Sequence, residues 1–80
     1  MTALMWLLFA FGYPVAIVVI VRFVPVVRQQ RLRWFAAHEI AVLMIVTGWA
    51  TDGNWPAVTI NATWLVAAAV WYLGAARRAA

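Results

Sequence analysis

Three long apolar runs, separated by two short polar interruptions, make up nearly all of the chain. The first covers residues 2–22 and closes at Arg22. The second covers 34–51, and the third covers 57–76, closed by Arg77 and Arg78. A bilayer core about 30 Å thick is crossed by about 20 apolar residues in a helix, so each run is near the minimum spanning length. The pattern predicts an all-α integral membrane protein with three transmembrane helices in one membrane domain, residues 1–80, and no soluble domain. A basic connection, residues 22–33, joins the first two spans, and a short turn, residues 52–56, joins the last two.

Local punctuation agrees with this division. Asp52-Gly53 is a turn pair, and proline is favoured at the first position of a helix, so Asn54 or Trp55 is expected to precede or cap the third span. Proline removes a backbone donor and crowds the preceding turn. Pro25 is therefore expected to end or bend the first helix, and Pro14, after Gly12-Tyr13, to kink it near its middle. No internal repeat or low-complexity segment is visible.

Composition turns the pattern into a statement about solvent. Of 80 residues, 69% are hydrophobic and 10% charged, with a mean hydropathy of +0.95. A soluble domain is roughly 45–50% apolar and about 25% charged, and a chain this short buries only about 60% of its unfolded surface. Lipid is the consistent solvent.

The net charge of +4 comes from arginine, with no lysine. That bias, with abundant alanine, points to GC-rich coding. The arginines flank the spans, where they set topology, so nucleic acid is not an expected partner. Arg22, Arg28, Arg31 and Arg33 lie in the first connection, Arg77 and Arg78 follow the third span, and the second connection carries only Asp52. Positive residues near span ends stay cytoplasmic. This predicts an N-terminus outside and a C-terminus inside, in a cytoplasmic membrane. Met1-Thr2-Ala3 carries no basic side chain and the first run is too long for a signal peptide, so it reads as an anchor inserted N-terminus first. Trp6, Trp49 and Trp55 then fall near the outer interface, and Trp34 and Trp71 near the inner one, as an aromatic belt requires. Trp64 does not fit the belt. It is either lipid-facing or packed bulk, or an anchor on a partner helix.

Candidate chemistry is sparse. There is no cysteine, which removes disulfides, thiolate catalysis and cysteine metal sites. His38 and Glu39 form the one ionisable pair inside a span. The zinc-protease pattern H-E-x-x-H needs a second histidine where Val42 stands. Haem ligation by His38 and proton coupling through Glu39 are further options. Small multidrug transporters rely on a membrane-embedded glutamate, but they have four spans, and one shallow carboxylate with no polar path is a poor conduit. An enzyme is not expected, because no nucleophile–base pair or pocket-sized polar set is visible, and no cofactor is expected. A carboxylate at this depth needs a partner, and Phe35, Ala36, Val42 and Leu43, its neighbours on the helix face, supply none. The expectation is that Glu39 pairs with Arg22 or Arg77 and pins the spans at their cytoplasmic ends. His38 is expected to face the inner interface or Tyr72. In a rival version, Glu39 points outward to a cation on another protein.

The third span has a second polar feature, Thr59, Asn61 and Thr63. Asparagine inside an apolar helix is a helix–helix adhesive, whereas the threonine hydroxyls can instead bond their own backbone. Asn61-Ala62-Thr63 matches a glycosylation acceptor formally but lies too close to the membrane. Ala67, Ala68, Ala69, Gly74, Ala75 and Ala76 allow close packing, although no G-x-x-x-G motif appears. Arg28, Arg31 and Arg33, with Leu32 and Trp34, are placed to hold anionic head groups at the membrane surface.

Three spans, an outside N-terminus and a basic inside C-terminus resemble the class I holins of phages. The arginine-only, alanine-, valine- and tryptophan-rich style is similar to small membrane proteins of actinobacterial phages. The resemblance implies self-assembly and membrane permeabilisation. It departs from that class in its minimal RRAA tail, and no functional residue carries over. Two functions therefore compete. One is an accessory or regulatory subunit, partnered by membrane lipids and the helices of a larger membrane complex. The other is a holin-like protein.

Overall fold

A computed structural model describes residues 3–79. Four helices follow in order: α1 Ala3–Val21, α2 Phe23–Arg28, α3 Leu32–Thr51 and α4 Trp55–Ala79. There is no strand among the described residues. Three of the helices, α1, α3 and α4, are long and apolar enough to cross a membrane. At about 1.5 Å per residue, α1 and α3 extend roughly 30 Å each. The third span is longer than its apolar run, because α4 begins at Trp55 and continues through Arg77 and Arg78. No glycine or proline follows Gly74 to stop it.

The expectation for Pro25 is corrected. The helix breaks at Arg22, three residues earlier, where the Arg22 N–H turns back to the Val19 carbonyl at 3.0 Å. With Arg22 as the N-cap of α2, Pro25 falls in the first turn, where a backbone N–H has no intrahelical partner to lose. Pro14 sits inside α1 without ending it. The basic connection is thus a short helix rather than a loop.

The α2–α3 and α3–α4 connections close by the same geometry. After α3, Gly53 takes a left-handed φ of 72°. Its N–H bonds the Ala50 carbonyl at 3.1 Å, and the Asn54 N–H bonds the Trp49 carbonyl at 3.1 Å. After α2, Gln30 takes φ 50°. Its N–H bonds Val27 at 3.3 Å, and the Arg31 N–H bonds Val26 at 3.0 Å. This paired arrangement satisfies carbonyls that a helix end leaves open and normally takes glycine. At Gln30 the side chain compensates: its amide nitrogen donates to the Val27 carbonyl at 2.8 Å and to the Tyr72 carbonyl of α4 at 3.3 Å. The α4 start is capped by Asn54, whose Oδ1 accepts from the Ala57 N–H at 3.3 Å. Of the two expected candidates Asn54 is the cap; Trp55 is the first helical residue, so Pro56 stands at the second helical position rather than the first.

The central helix is α3, packed against α1 on one side and α4 on the other, while the backbones of α1 and α4 stay apart. Two buried clusters result. One gathers Val19, Phe23, Val26, Val27, Ala68 and Tyr72, and the other Ala16, Ala41, Val42 and Ile45. Trp64 packs against both. Leu7, Phe11, Ile40, Leu43, Ile60 and Val70 are exposed. Apolar exposure spread over every long helix is far more than a water-soluble monomer carries, and it suits lipid.

Two glycines mark a close approach between α1 and α3. A Cβ on Gly12 would lie 2.9 Å from the Ala41 carbonyl oxygen and 3.0 Å from Ile45 Cγ1. A Cβ on Gly48 would lie 2.6 Å from the Phe9 ring. No sequence motif marked these two glycines. The obstacle at Gly12 is backbone, which cannot swing aside, whereas the Phe9 ring can tilt. Gly12→Ala is therefore expected to destabilise the protein by on the order of 1–3 kcal/mol through overpacking, and Gly48→Ala by less. Unfolding by sodium dodecyl sulfate in mixed micelles measures both, and the reverse order would refute this account of the α1–α3 contact.

Candidate functional site

His38 lies six residues into α3 and its side chain is completely buried. Its Nδ1 is 3.0 Å from Glu39 Oε1, and Trp64 Nε1–H of α4 donates to its Nε2 at 2.9 Å. An indole N–H only donates, so Nε2 must be the accepting nitrogen. The imidazole proton then sits on Nδ1 and points at the Glu39 oxygen. The network itself assigns a neutral tautomer. The result is a three-member chain, indole to imidazole to carboxyl, that crosses from α4 into α3.

Aromatic rings enclose the chain. Phe23 of α2 places its ring 5.0 Å from the imidazole, 5.6 Å from Trp64 and 5.2 Å from Trp71. Trp64 meets the imidazole nearly perpendicular, at 87°. Below it, Phe35 and Tyr72 stack at 4.0 Å, with planes 7° apart. A second indole bond joins the other helix pair: Trp49 Nε1–H of α3 donates to the Tyr13 hydroxyl of α1 at 3.0 Å, with the Phe9 ring against both. α3 thus has one tryptophan hydrogen bond to each of its two long neighbours, α1 and α4.

This arrangement limits the chemistry open to the dyad. A general base needs a lone pair aimed at a substrate proton, and the accepting nitrogen of His38 already holds the Trp64 proton. A haem or zinc ligand needs a ring nitrogen free of other partners, and both nitrogens are engaged. Among the described residues, no group of three His, Cys, Asp or Glu side chains comes together.

The expected partners of the pair are corrected. Glu39 joins neither Arg22 nor Arg77; among the described residues its one ion-pair contact is His38. The neighbour at the next position supplies what residues three and four away do not. His38 faces Trp64 and Phe23 rather than the interface, and Tyr72 stacks on Phe35 instead. Arg22 and Arg77 are exposed, as are Arg28, Arg31 and Arg33. Asn61 does not bridge helices: its Nδ2 donates to the Ala57 carbonyl of its own helix at 2.8 Å. Thr59 and Thr63 likewise bond the Trp55 and Thr59 carbonyls at 2.9 and 2.7 Å. Sequence reasoning missed Phe23 and the Trp49–Tyr13 bond. The available signal was that an indole away from the membrane interface must find an acceptor. Compared with protein-family models, with curated proteins and with solved structures, the chain has no match.

Removing the donor alone strands a buried acceptor. Trp64→Phe is expected to destabilise the protein by about 1–3 kcal/mol. Combined with His38→Leu, its cost is expected to fall below the sum of the two single changes, because contacting partners do not add. Glu39→Gln keeps an oxygen opposite Nδ1 and is expected to cost less than Glu39→Leu. Detergent unfolding midpoints of the five variants test this; additive effects would show that the bond contributes nothing.

Proposed function

We propose that this chain is a small, non-catalytic, multi-pass protein of a bacterial or phage-encoded system in the cytoplasmic membrane. It acts by helix–helix contact as an accessory or regulatory subunit of a larger membrane complex. The supporting observation is the free face of α4. Val58, Thr59, Ala62, Thr63, Val66 and Ala67 form a shallow depression of about 600 Å³, and Thr59, Thr63 and Ala67 are spaced four apart. Small residues at that spacing admit a second helix to close range. Both threonine hydroxyls are committed to their own helix, so the face is smooth and apolar, suited to packing.

Orientation rests on the arginines. Gln30 meets Tyr72 and Phe35 stacks on it, so the basic connection lies at the same end as the α4 C-terminus with Arg77 and Arg78. Retention of that end in the cytoplasm puts the N-terminus outside. The competing holin-like reading calls for a polar helix face to line a hole. It is weakened because Thr59, Asn61 and Thr63 direct their donors into their own backbone.

The test is expression of the tagged chain in bacteria, followed by gentle-detergent purification and mass spectrometry. A defined membrane complex is expected to co-purify without loss of membrane potential. Thr63→Leu with Ala67→Leu is expected to weaken that association by about tenfold or more, equivalent to roughly 1.4 kcal/mol. Abrupt collapse of the membrane potential above a threshold amount would establish the holin-like reading instead.

A further inference from the structure

The arginine that does not reach Glu39 faces a different feature. Arg22, Pro25, Val26, Gln29, Arg31 and Trp34 line a concavity of about 330 Å³ where α1, α2 and α3 meet. Two guanidiniums share it. Arg31 is held by its Nε–H, which donates to Gln29 Oε1 at 2.8 Å, leaving its terminal nitrogens uncommitted to that bond. Among the described residues no carboxylate side chain competes: Glu39 is bonded to His38 and Asp52 is at the opposite end of α3. Pro25 and Val26 give the concavity its apolar lining. Trp34 lines it as well, and the same Trp34 lines a second cavity. This one is an apolar furrow of about 270 Å³ between α1 and α3, lined by Pro14, Val15, Val18, Val19 and Ala37. A cationic recess at the helix ends thus adjoins an apolar furrow along the helices, with Trp34 common to both.

We propose that this composite site binds one anionic phospholipid. The phosphate sits between Arg22 and Arg31, and one acyl chain lies along Val15 and Val18, with Trp34 at the boundary between head and tail. Guanidinium matches phosphate by charge and by paired donors. The furrow runs into the bilayer from the headgroup level, which selects a lipid over a soluble anion. Arg28 does not line the recess, so the site is narrower than a general basic surface. The inference does not depend on any partner complex.

Native mass spectrometry of the full chain in gentle detergent tests it, with phosphatidylglycerol and phosphatidylcholine of identical acyl chains as probes. One phosphatidylglycerol is expected to remain bound, and phosphatidylcholine is not. Arg22→Gln with Arg31→Gln is expected to weaken retention about 30-fold, from about fivefold per arginine. Arg28→Gln with Arg78→Gln removes the same charge outside the recess and is expected to leave most of the binding. Val18→Trp fills the furrow at an exposed position without touching charge, and is expected to abolish retention. Equal binding of phosphatidylcholine, equal losses in the two double variants, or full retention in Val18→Trp would each overturn the site. Displacement of the lipid by inorganic phosphate at comparable concentration would do the same, because it would mean that the recess holds an anion without a tail.

Discussion

An indole N–H enclosed among its own helices needs a protein acceptor in place of water, and that constraint organises this structure. Trp64 resolves it on His38, and His38 in turn resolves its own proton on Glu39. Each group alone would carry a desolvation penalty at this depth; linked head to tail, each satisfies the next. Because Trp64 belongs to α4 and the other two to α3, satisfying these groups also joins the helices. Trp64 packs on both buried clusters, so the hydrogen bond and the apolar packing fix the same register. In lipid, where apolar contact between helices gains little over contact with acyl chains, a bond of this kind and close backbone approach are the forces left to specify one arrangement.

Architecture was legible in the residues because it depends on long-range averages. Twenty-residue apolar runs, arginine-rich boundaries and the Asp52-Gly53-Asn54 turn each repeat one message several times, and the helices follow it. The site was only half legible. His38, Glu39 and Trp64 each stood out as residues a lipid-facing helix would not carry, but their pairing depends on helix rotation, which apolar sequence on every face leaves undetermined. α1 is apolar all round, so nothing in its pattern says which side meets α3. Gly12 does say so, but only once the Ala41 carbonyl is seen beside it. Opposite charge suggested an arginine for Glu39. Proximity along the chain decided otherwise, since the adjacent imidazole reaches the carboxyl with no need to bring an exposed guanidinium into the helix stack.

The basic end shows how one unusual backbone conformation serves two purposes. Gln30 occupies a left-handed position that glycine would fill with less strain. A glycine has no side chain to reach the Tyr72 carbonyl, so the glutamine trades local comfort for a tie between the α2–α3 corner and α4. That corner also carries Arg31, whose Nε–H bonds Gln29. The cationic recess is therefore built on a corner held from two sides, rather than on a freely moving loop.

The Trp64–His38 bond has a consequence for biogenesis. The chain is made from α1 toward α4, so His38 and Glu39 enter their environment before the indole that completes them has been synthesised. Until α4 arrives, the α1–α3 hairpin holds an imidazole nitrogen with no donor. Arrival of the last helix supplies that donor, so the polar chain is complete only once α3 and α4 are both present.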